Sequence, residues 1–185
     1  ASATATTCAD CLAGFADHDS NPATPCSPCD VGSVSTAGQT TCDACLPGTA
    51  DVDSDPATPC ITCQPGHYAP AEATACVHCP AGYIDHDSDP ATPCNSSDVH
   101  LCDAGTFASA GSTQCTPCAA GFADLDSDPA TDCTLCSVGH ESAQGQTSCA
   151  PCAEGTADAD SDPATPCVAC EAGEYASEGV TACVT

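Results

Sequence analysis

Residues 42–75 read CDACLPGTADVDSDPATPCITCQPGHYAPAEATA, and the cysteine spacing of this stretch decides the fold. It is one copy of the unit C-x2-C-x14-C-x2-C-x12, 34 residues long, in a chain of 185. Outward from it, residues 8–41, 115–148 and 149–182 keep the same spacing. Residues 76–114 stretch it by an insertion at 95–101. Residues 1–7 read as the tail of a preceding unit, and Cys183 opens a sixth at 183–185. A period of this size marks an array of small units, none able to bury a core alone. Ala1–Cys8 lines up with Ala176–Cys183, so the chain is expected to be a piece of a longer array.

Composition agrees with that reading. Cysteine supplies 21 of the 185 residues, whereas Leu, Ile, Val and Phe together supply only 19. That is too little apolar side chain for a self-sufficient core, so cross-links must replace burial. Persistent disulfides need an oxidising compartment, which points outside the cell or to its surface. The chain has no Lys or Arg and a formal charge of −26. Phosphate backbones and anionic lipid surfaces both demand cations, so nucleic acid and membrane contact are excluded as functions of this segment. No nucleophile elbow and no phosphate-cradling glycine loop is present, and the chain does not read as an enzyme.

Each unit holds a long loop, C-x14-C, and a short loop, C-x12-C, and both open Cys-x2-Gly. All glycines fall in three shared registers, as expected where tight turns need positive φ. The aromatics are also in register: Phe15, Tyr83 and Phe122 in long loops, Tyr68, Phe107 and Tyr175 in short ones. They are expected to cover disulfides as miniature cores, the alternative being a row of exposed rings that stack on sugar or another ligand. The fold class that follows is an elongated rod of small, disulfide-rich repeats, with short two-stranded β-ribbons and little or no helix.

Spacing alone does not fix the pairing. One scheme closes each loop on itself: Cys11–Cys26, Cys29–Cys42, Cys45–Cys60, Cys63–Cys76, Cys79–Cys94, Cys102–Cys115, Cys118–Cys133, Cys136–Cys149, Cys152–Cys167 and Cys170–Cys183. It leaves Cys8 over and lets the insertion fall between closed loops. An interleaved scheme, Cys76–Cys94 with Cys79–Cys102, would have to absorb the insertion inside a ring.

The pattern C-x2-C-x2-G-x-Y/F, with x12 and x14 loops, resembles the cysteine-rich repeats of ephrin-receptor-like and growth-factor-receptor-like extracellular domains. The tumour-necrosis-factor-receptor modules are more distant. The resemblance implies disulfide-laddered, EGF-like extracellular modules and carries no specific ligand. The faithful D-x-D-S-D-P-A-T-P-C segment looks more like large surface-fibre proteins of protists and algae, flagellar hairs included, than like animal receptors.

Fourteen of the 26 acids lie in that segment: Asp17, Asp19 (with Asn21), Asp51, Asp53, Asp55, Asp85, Asp87, Asp89, Asp124, Asp126, Asp128, Asp158, Asp160 and Asp162. Carboxylates at alternate positions suit calcium, and the motif resembles the calcium-binding stretches of thrombospondin type 3 repeats. It departs by carrying Pro where a calcium loop wants Gly, and it serves equally as an Asx-turn running into a Pro turn. The C-x2-C pairs are also a zinc spacing, against which the unbroken tandem array weighs. His18, His67, His86 and His140 share registers with non-ligating residues, and none reads as a ligand. His78 and His100 have no counterpart.

Asn95-Ser96-Ser97 is an N-glycosylation sequon within the insertion, and Thr24, Thr58, Thr92 and Thr165, each before Pro, are candidates for O-linked sugar. The resulting expectation is a structural shaft or fibre segment whose partners are copies of itself and covalent glycans. A receptor or adhesin stalk and an acidic calcium-binding surface protein are the alternatives.

Overall fold

The computed structural model describes residues 9–94 and 101–185. No helix occurs among them. They form two-stranded antiparallel ribbons, eight as paired strands and two as single bridges, Tyr83 with Leu101 and Tyr175 with Val184. Each strand is only two residues long; Thr49–Ala50, for example, pairs with Ile61–Thr62. Two compact units emerge. The first runs to His78 and includes 87–94; the second holds Cys79–His86 and 101–185.

Every ribbon follows from the cysteine spacing. In the first unit, bridges join Cys11–Cys26, Cys29–Cys42, Cys45–Cys60 and Cys63–Cys76. In the second they join Cys102–Cys115, Cys118–Cys133, Cys136–Cys149, Cys152–Cys167 and Cys170–Cys183. Cys79 and Cys94 are disulfide-bonded as well. Cys8 lies outside the described residues. In the eight paired ribbons the two residues after the closing cysteine are the return strand, as Ile61–Thr62 follow Cys60. The next opening cysteine then donates its N–H to the loop's glycine carbonyl, as from Cys45 to Gly32 at 2.8 Å and from Cys63 to Gly48 at 3.0 Å. Leu101 pairs with Tyr83, and the N–H of Cys102 reaches Gly82 O at 3.1 Å, so the ladder is back in register by Leu101.

Inside each repeat the long loop is clamped to the short loop that follows it by three backbone bonds. In the second repeat these run from Gly48 N to Ala69 O (2.8 Å), from Asp51 N to Ala73 O (2.9 Å) and from Glu72 N to Cys45 O (2.9 Å). The same three recur in the fourth repeat from Gly121, Asp124 and Gly145. Backbones brought this close favour small side chains. Among the described residues the buried apolar ones are mainly cysteines and alanines, such as Ala16, Ala50, Ala69, Ala108, Ala123 and Ala157, with Ile84 the one large aliphatic. Where serine replaces alanine, its hydroxyl bonds across the seam, Ser35 Oγ to Phe15 O and Ser142 Oγ to Phe122 O, both at 3.0 Å.

This corrects the expectation for the aromatics. None of the six is buried, and Phe15, Phe122 and Tyr175 are 39%, 37% and 63% exposed. The buried side chains that cluster with the cysteines are instead aliphatic ones: Ala50, Ala69 and Ala73 with Cys63, and Ile84 and Ala108 with Cys102.

Candidate functional site

The acidic segment is the most uniform feature of the structure, and every residue type in it has a local task. The second carboxylate of each motif accepts the amide of the residue two ahead, as Asp53 Oδ1 does from Asp55 N at 3.1 Å, and also the hydroxyl of the motif's threonine, Thr58 Oγ1, at 3.0 Å. The third accepts the next amide but one, Ala57 N to Asp55 Oδ1 at 3.0 Å. These are consecutive Asx-turns stapled by one hydroxyl. They force the intervening serine into left-handed backbone: Ser20, Ser54, Ser88, Ser127 and Ser161 all have φ between 53° and 59°. The amide bond and the threonine hydroxyl hold the carboxylates of Asp53, Asp126 and Asp160 below their ordinary pKa; at Asp19 the hydroxyl of Thr24 is the larger cause.

The first carboxylate does something different. Asp51, Asp124 and Asp158 are buried, and each accepts a backbone amide from the short loop of the preceding repeat. Gly32 N reaches Asp51 Oδ2 at 3.0 Å, Gly105 N reaches Asp124 at 2.9 Å and Gly139 N reaches Asp158 at 2.8 Å. The proline of the motif adds a second tie, its carbonyl accepting Ser35 N at Pro56, Ala69 N at Pro90, Ala108 N at Pro129 and Ser142 N at Pro163. The alanine after it sits against a long-loop glycine one repeat earlier. A Cβ on Gly14 would meet Ala57 N at 3.2 Å, and one on Gly121 would meet Ala164 N at 3.0 Å. The segment is thus the joint between repeats: Asp and Pro fasten it, Ala fits it, and the Asx-turns shape it.

Other sequence candidates fall as follows. Thr24, Thr58, Thr92 and Thr165 each donate to a motif carboxylate, so sugar on that oxygen would remove the donor that staples the turn. Asn95 and His100 lie outside the described residues. With every described cysteine oxidised, none of these sulfurs is a free thiolate for zinc. Among the described residues, no cluster of three or more His, Cys, Asp or Glu is arranged to hold a metal ion. His18 Nε2 lies 3.8 Å from Cys42 Sγ.

No protein-family model matches the chain, and no curated protein matches it. Its own repeats therefore provide the comparison, and they differ at few functional positions. One is Glu141, whose Oε2 takes the amide of Cys167 at 2.7 Å. Another is Asp51, whose Oδ1 is buried without a hydrogen-bond partner, whereas Asp158 Oδ1 accepts Asp162 N at 3.1 Å. The third is a pair that sequence reasoning passed over. His67 stands directly opposite His78 across a ribbon, their ring centroids 4.3 Å apart. The signal was available: the residue after a short-loop glycine faces the last residue of the next C-x2-C link, as Ser33 faces Ala44.

Proposed function

We propose that this chain is a structural segment of an extracellular shaft or fibre, with copies of itself as its partners. The observation that carries the reading is the joint. The same Pro carbonyl tie occurs at two joints within each compact unit, and the first Asp, the Pro and the Ala of the motif take part in the joint. A surface specialised for one ligand would leave conspicuous residues uncommitted. Here the repeated residues fasten one module to the next, which suits tandem scaffolds. Disulfide ladders fit an oxidising environment outside the cell. A carbohydrate coat, at Asn95 if anywhere, would separate the charge of neighbouring copies.

Electron microscopy of the native, unreduced material tests the reading. The expected result is a filament with an axial repeat. Single particles that never assemble would sink it in favour of a receptor or adhesin stalk. The place to look for the ligand of such a stalk would then be the cleft of about 400 Å3 lined by Glu141, Gln144, Gln146 and Thr165.

One observation favours a second, compatible role in calcium binding. Asp51 is 2% exposed and its Oδ1 lacks a partner. A hard cation satisfies such an oxygen, with affinity in the millimolar range of extracellular modules. Millimolar Ca2+ is then expected to raise the thermal midpoint of the chain, and Asp51→Asn to reduce the rise. An unchanged midpoint in saturating Ca2+ removes this role and leaves the shaft reading intact.

A further inference from the structure

We propose that His67 and His78 form a binding site for a borderline divalent transition metal, each strand of the Cys63–Cys76 ribbon contributing one imidazole. The residues are cross-strand partners, with ring centroids 4.3 Å apart and planes tilted by 46°. Neither is buried, so an ion can reach them and complete its coordination with water. Two nitrogens bound to one ion at about 2.0–2.1 Å lie roughly 3 Å apart, a span compatible with rings whose centroids are 4.3 Å apart. The disulfide fixes the strands in register, so the chelate is organised before the metal arrives.

A second feature prepares His67 in particular. Its Nδ1 lies 3.3 Å from the carbonyl oxygen of Pro65. In the tautomer that donates this bond, the lone pair is on Nε2, the nitrogen free to point away from the backbone. Ligating histidines are ordinarily oriented by such a bond from their other nitrogen. Imidazole suits Zn2+, Ni2+ and Cu2+, with Cu2+ held most tightly. The chain's formal charge of −26, with no Lys or Arg, raises the local concentration of any cation.

The protein supplies its own control. His140 occupies the same register as His67, and its Nδ1 lies 3.4 Å from Val138 O, but the residue opposite is Pro151. It has the orienting bond and lacks the second ligand. The site belongs to the one ribbon, among those described, that carries histidine on both strands.

The test is a Cu2+ titration of the oxidised chain in excess Ca2+, which competes for the exposed carboxylates, read by calorimetry and by the nitrogen hyperfine pattern in electron paramagnetic resonance. The expected result is one tight equivalent with two coupled nitrogens. His67→Ala and His78→Ala should each weaken it by at least the roughly 10–100-fold that follows loss of even an outer-shell partner. His140→Ala should leave it unchanged. Both site residues lie at the surface of a disulfide-closed ribbon, and an unaltered amide spectrum verifies the fold of each variant. Tight binding that survives either site substitution, a tight equivalent lost in His140→Ala, or the absence of any tight equivalent overturns the proposal.

Discussion

Reduced at neutral pH and without denaturant, this chain will unfold. Its described bridges span 13 or 15 residues, and each such closure is worth about 3 kcal/mol in chain-entropy terms. Little else opposes the entropy of the open chain. One cluster of buried side chains is Ala50, Cys63, Ala69 and Ala73 with Cys76 packed on it; another is Ile84, Cys102 and Ala108 with Cys115. Cysteine is part of each cluster, so reduction removes core as well as cross-link. Isolated two-stranded ribbons are marginal in water even when longer than these. The measurement is an amide correlation spectrum with hydrodynamic radius, before and after a phosphine reductant. Collapse of amide dispersion with expansion is expected, and native dispersion in the fully reduced chain would falsify the argument. Replacing the single pair Cys63 and Cys76 by alanine should cost about 2–5 kcal/mol.

The second large effect is expected from Gly105→Ala. Gly105 has φ of +82°, and a Cβ there would collide with the carbonyl oxygen of Gly145. Its amide is also the one held by Asp124. Left-handed backbone costs an L-residue about 1–2 kcal/mol. The overlap is with backbone, which cannot swing aside, so the neighbouring repeat must shift at a further cost of about 1–3 kcal/mol. Gly145→Ala is the matched control, since its φ is +75° and nothing lies within 4 Å of its Cβ. The protein itself tolerates a side chain at that register, where Glu72 stands with φ of +62°. Hydrogen exchange at Gly105 and Ala108, whose amides bond to Asp124 and Pro129, should accelerate sharply in Gly105→Ala and much less in Gly145→Ala. Equal protection in the two variants would show that the repeats do not depend on this contact.

Much of the fold was legible because its determinants are local. Cysteine spacing marks where loops close, and two residues between a closing and an opening cysteine permit only a ribbon strand. The register of the glycines marks the positive-φ turns, and each of the fourteen has positive φ. The aromatics misled because rings usually fill small cores, whereas here alanines such as Ala50 and Ala69 fill them. The acidic motif was ambiguous for a related reason. Alternate carboxylates describe a cation loop and an Asx-turn equally well, and only the partners of each oxygen separate the two.

Sequence by itself therefore determined the modular plan of disulfide-closed loops and short ribbons, since this follows from cysteine spacing and composition. Tertiary structure decided what the repeated residues are for. Asp51 meets Gly32, Pro56 meets Ser35 and Ala57 meets Gly14 only when one repeat is seated on the next. His67 meets His78 only once the ribbon's register is set. Contacts between repeats depend on the rise and rotation from one module to the next, and no local pattern of residue types encodes those quantities.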